Sequence, residues 1–121
     1  MLTRKIEDDS IIFYDGTSSI LTIQERETGN SITLDISGEL RSDVAHDILD
    51  ELIALATIGA DVVVDLKEVT YIAPTTQHIF LRVQQKMDSI GKGSLTLKKP
   101  AETVYREFEL TGVSELLMFE N

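Results

Sequence analysis

Three consecutive β-branched residues, Val62-Val63-Val64, stand between two stretches whose apolar residues recur every three or four positions. Before them, Val44, Ile48, Leu52 and Leu55 form one row, with Ala45, Leu49, Ile53 and Ala56 beside it. That broad stripe predicts a core-facing helix over Ser42–Gly59. Ser42 is placed to cap it and Gly59 to end it. After the valines, Ile79, Phe80, Val83, Met87 and Ile90 repeat the helical period. Pro74 suits a first helical turn, so a second helix is predicted over Pro74–Ile90, closed by Gly91-Lys92-Gly93. A strand held between two helices commits this region to right-handed βαβ crossovers. The unbroken valine run further predicts a strand covered on both faces.

The flanks extend the pattern in both directions. Ser94–Lys98 alternates, with Leu95 and Leu97 on one side. Pro100 opens a last helix bearing Val104, Tyr105 and Phe108, and Gly112 stops it. The apolar tail Val113–Phe119 is expected to dock on the sheet as a short helix or strand. Upstream, Ile32, Leu34 and Ile36 share one parity in Ser31–Leu40, which reads as a hairpin with Ser19–Glu25 across the turn at Glu27–Asn30. Ser10–Tyr14 reads as one further short strand ended by Asp15-Gly16. The resulting order, β-β-β-α-β-α-β-α-β, predicts an α/β domain with a mixed sheet.

The chain has 121 residues, enough for one domain. Its net charge of −10 disfavours nucleic acid as a partner, because phosphate is repelled over most of the surface. The excess is uneven, with eleven acids against four bases in residues 1–50. Cysteine is absent, which removes disulfides, zinc–thiolate sites and thiol catalysis. No apolar leader is visible, and no apolar run approaches the ~20 residues of a membrane span. The expectation is a cytoplasmic protein with no direct membrane insertion. Neither GxxxxGK[ST] nor GxGxxG occurs; Gly91-Lys92-Gly93-Ser94 follows a helix rather than opening one. His46 and His78, the two histidines, lack metal-ligand spacing and read as solvated side chains. A Thr75–His78–Asp65 hydrolase would lack a nucleophile elbow and an oxyanion loop. The chain therefore reads as no enzyme, with no metal and no cofactor.

Several short segments, taken in order, carry a resemblance. They are Ile36-Ser37-Gly38-Glu39-Leu40, Val62–Leu66 with Val69 and Ile72, Gly91-Lys92-Gly93 before Leu95 and Leu97, and then Pro100, Val104, Phe108, Gly112 and Leu116. Over about residues 19–119 the chain resembles the STAS domains, which include the bacterial anti-sigma factor antagonists, or anti-anti-sigma factors. The resemblance implies a STAS-like mixed β-sheet covered by helices in residues 19–121. Residues 1–18 form an N-terminal extension with an extra strand. It also implies a protein-interaction module that binds a serine/threonine kinase-type anti-sigma factor and so releases a sigma factor, by partner switching.

In partner-switching members of that family, the strand after the first helix ends in Asp-Ser, and the serine opening the second helix is phosphorylated. Ala73 and Pro74 stand at those positions here. Proline accepts no phosphate, so the phosphorylation candidates become Thr75 and Thr76. A phosphate there would add about −1.5 to −2 charges beside a helix N-terminus, whose free N–H groups favour an anion. The two threonines could equally satisfy backbone donors of the first turn. The partner-binding residues implied are Pro74, Thr75, Thr76, Gln77, Phe80, Arg82 and Lys86. The alternative within the family is a STAS subunit of a phospholipid-transport ABC complex, which binds an ABC transporter ATPase, or a non-phosphorylated scaffold subunit. The extra N-terminal strand could pair with the sheet edge or with a second copy, which leaves a homodimer open.

Overall fold

A computed structural model describes residues 2–121. Four strands come first: β1 (Leu2–Glu7), β2 (Ser10–Asp15), β3 (Ser18–Thr28) and β4 (Ser31–Leu40). A 3₁₀ turn at Ser42–Val44 leads into α1 (Ala45–Thr57). Then follow β5 (Asp61–Ile72), α2 (Pro74–Ile90), β6 (Ser94–Lys98), α3 (Glu102–Leu110), a second 3₁₀ turn (Val113–Glu115) and β7 (Met118–Glu120).

The seven strands lie in sequence order across one sheet. β1 to β4 pair antiparallel, and β4 to β7 pair parallel. Each helical crossover advances one strand in the same direction. Right-handed crossovers then put α1, α2 and α3 on the same face. The core lies beneath them: Leu21, Ile36, Val64, Leu66, Leu97, Phe80 and Phe108 are each at most 2% exposed. The opposite face carries Gln24, Arg26, Asp35 and Lys67 around a shallow polar depression. Arg26 Nε lies 2.6 Å from Asp35 there. β5 is thus covered on one face only. Val62 and Val64 are buried beneath the helices, whereas Val63 faces the open side half-buried, which corrects the expectation of two covered faces.

Two more expectations are corrected. The N-terminal extension holds two strands, β1 and β2, rather than one. Leu-Thr-Arg-Lys-Ile-Glu carries charge on both faces and shows no apolar alternation, so it gives no strand signal until β2 is there to pair with. Ser42 makes no capping bond, because the chain enters α1 through a 3₁₀ turn in which Ser42 itself takes part. The charge at this entry is Arg41, whose guanidinium grips Asp43 at 2.6 Å.

Gly38 is needed where β4 crosses β3. It sits at φ +113°, and a Cβ there would lie 2.1 Å from the Ile20 carbonyl oxygen. Gly91 closes α2 in the left-handed region and donates to Met87 O.

Candidate functional site

The head of α2 is built by Pro74. Ala73 before it is extended (φ −76°, ψ 150°), as a residue preceding proline must be, and Pro74 starts the helix where no N–H is required. This turn sits beside the end of β4. The Ala73 N–H donates to Leu40 O at 2.9 Å. The Thr76 hydroxyl lies between Leu40 O at 3.0 Å and Arg41 O at 3.2 Å. Gln77 points the other way, accepting from the Thr111 hydroxyl at 2.7 Å at the end of α3.

Pro74, Thr75, His78, Arg82 and Lys86 are exposed. Thr76, Gln77 and Phe80, implied at the partner surface, are each 0% exposed, and Thr76 is thereby also withdrawn as an accessible phosphate acceptor. The physical reason is helical phase. Thr76, Phe80, Val83 and Met87 share the stripe that faces the sheet, while Thr75, His78 and Arg82 share the stripe that faces α1. Neither threonine caps the helix by a side-chain bond. The first-turn donors are also partly used: the N–H groups of Thr76 and Gln77 both reach Ala73 O, at 3.0 and 3.1 Å.

Thr75 opens onto a groove of about 330 Å³ between the heads of α1 and α2, lined also by Ser42, His46, Leu49, His78 and Arg82. The two histidines, about thirty residues apart in the chain, share this groove. The phase of each helix carries the signal that joins them, since both lie on the stripes where α1 and α2 face each other. His46 is the more tethered of the two, with Asp50 at 3.5 Å. Arg41, at the corner's rear, is held by Asp43 and lies 3.5 Å from Asp15. Its hydrogen bond to Asp43 keeps the guanidinium above its ordinary value, so it is a fixed cation pinned by carboxylates. Arg82 and Lys86 remain as exposed cations along α2.

The Mlab, STAS domain family model matches residues 23–118. The chain belongs to the STAS domain family. Its sequence is 29% identical over 97 residues to the anti-sigma-B factor antagonist of Bacillus subtilis (strain 168), spanning 80% of this chain and 88% of that protein. Solved structures of anti-sigma factor antagonists share the fold. The Thermotoga maritima protein TM1081 superposes with a TM-score of 0.73 at 19% identity, over 82% of this chain and 86% of its own. The anti-sigma factor antagonist SpoIIAA, solved in its unphosphorylated form, gives 0.68 at 15% identity, over 82% and 88%. The phosphorylated form of SpoIIAA, a Bacillus cell fate determinant, gives 0.62. In this STAS domain the match begins within β3, so the β1–β2 hairpin lies ahead of it.

Proposed function

We propose that this chain is an anti-sigma factor antagonist that acts by binding, not by catalysis. The observation that carries the reading is the 29% identity across 88% of an anti-sigma-B factor antagonist. It is joined by a corner that holds two exposed residues, Pro74 and Thr75, on a backbone fixed from behind. The partner is an anti-sigma factor of the serine/threonine kinase type. It docks on Pro74 and Thr75, with Arg82 and Lys86 along the helix supplying cations in an otherwise acidic protein. Thr76, Gln77 and Phe80 stand behind that surface and hold its shape.

Regulation by phosphate falls on Thr75. Pro74 has no hydroxyl, and that of Thr76 is buried between two carbonyls. With the Thr76 and Gln77 N–H groups already bonded, a phosphate on Thr75 finds its counter-charge in Arg82 of the same groove rather than in the helix terminus. Its effect on the partner is exclusion. A doubly charged group set into a contact built for a neutral side chain has only the single cation of Arg82 against it, and the uncompensated remainder costs several kcal/mol, about a 10³-fold loss of affinity.

The test is capture. The purified protein is presented to each anti-sigma factor and each ABC transporter ATPase encoded in its own genome, and ATP is then added before phosphate is mapped by mass spectrometry. Retention of one anti-sigma factor, with phosphate on Thr75, is the expected outcome. Retention of an ATPase alone transfers the chain to the reading as an ABC-complex subunit, and phosphate on neither threonine removes the switch.

A further inference from the structure

The β1–β2 hairpin lies outside the matched family region and extends the sheet past the flank of α1 that faces away from α2. On this flank Asp47 reaches Arg4 of β1 at 3.9 Å. Glu51, one turn further along α1, lines the same hollow as Ile6, two residues further along β1. Among the described residues, no apolar side chain of a helix covers the sheet at that point. Ile6 is 64% exposed although it points to the helix side, and Ile11 beside it is half-buried.

The result is a trough of about 200 Å³ with two distinct parts. Its floor is apolar: Ile6 and Ile11 from the hairpin continue onto Ile23 and Leu34 of the family core. Its rim is anionic: Asp8 and Asp9 at the hairpin turn, Glu25 on β3 and Glu51 on α1, with no cation among the lining residues. Apolar contact supplies affinity in such a site, and the rim sets the sign of what enters it.

We propose that this trough is a second docking site, which takes a basic amphipathic segment of a partner protein. Leucine, isoleucine or phenylalanine side chains lie on the isoleucine floor, and lysine or arginine heads meet the four carboxylates. An anionic membrane surface carries the wrong charge for this rim. The site shares no lining residue with the groove beside Thr75, so it stands independently of the docking role assigned to that corner.

The experiment titrates the full, isotope-labelled chain with a Leu/Lys amphipathic peptide of about twelve residues, or three helical turns, followed by amide chemical shifts. The expected shifts centre on Ile6, Ile11, Glu25 and Glu51. Ile6→Ser, which changes no charge at an exposed position, weakens binding about tenfold. Glu51→Lys, also at an exposed position, weakens it about threefold and steepens the fall with salt no further. Shifts spread over the acidic surface with Ile6→Ser binding like wild type would show diffuse charge attraction and overturn the proposal. So would shifts centred between α1 and α2, no saturable binding, or stronger binding to phosphatidylglycerol vesicles than to the peptide.

Discussion

The head of α2 and the β1–β2 hairpin both present side chains to solvent, but they are held in different ways. At the head of α2, Leu40 O receives both the Ala73 N–H and the Thr76 hydroxyl, and Gln77 ties the same turn to α3 through Thr111. Two neighbouring elements, β4 and the end of α3, thus hold a turn that exposes Pro74 and Thr75 at its tip. β1 has one neighbour, β2, and five of its six residues are exposed. Its ion pairs, Lys5–Glu7 at 2.8 Å and Arg4–Asp47 at 3.9 Å, are exposed on both partners and are screened by solvent. Buried polar bonds tie the one to its neighbours, and edge pairing with exposed side chains adds area to the other.

Mutations should reproduce that contrast. Phe80→Ala, beneath the head of α2 and packed against Phe108, should cost about 3–5 kcal/mol in chemical denaturation. Gly38→Ala should cost about 2 kcal/mol or more, because its Cβ meets the Ile20 carbonyl and its backbone is left-handed. Thr76→Val keeps the shape but strips a bond from two carbonyls, and should cost about 1–3 kcal/mol, or roughly 4 °C of Tm per kcal/mol. Thr75→Ala, one residue away and exposed, should stay within about 0.5 kcal/mol. Removal of residues 1–8 should cost less than Phe80→Ala, since the buried Phe13 stays on β2. A Thr76→Val as mild as Thr75→Ala, or a truncation as costly as Phe80→Ala, would break the contrast.

Much of the fold is legible where burial is periodic. The stripe from Ile79 to Met87 and the Pro74 and Gly91 punctuation fix α2 at both ends, and the valine run places β5. β1 is illegible because its strand character comes from pairing and not from its own pattern: Arg4 and Lys5 point to opposite faces. The one-sided cover of β5 is also set beyond the segment, since the direction of three successive crossovers decides which face stays open. The site is a mixed case. Thr75, Arg82 and Lys86 lie on exposed phases of α2, but Thr76, Gln77 and Phe80 were grouped with them as parts of one loop-and-helix segment. The helical period that predicts α2 already sets Thr76 four residues before Phe80, on the buried stripe. The trough under Ile6 has no sequence signal at all, because its floor and rim come from five separate strands and helices.

The proposed role puts the Pro74–Thr75 tip in the grip of an anti-sigma factor. The direct measurement is calorimetric titration of the captured anti-sigma factor with the wild-type chain and with Thr75→Glu, each checked for an unchanged Tm. A loss of about tenfold or more in affinity for Thr75→Glu is predicted, smaller than the loss for phosphate because glutamate brings one charge. Equal affinities for the two proteins would contradict it.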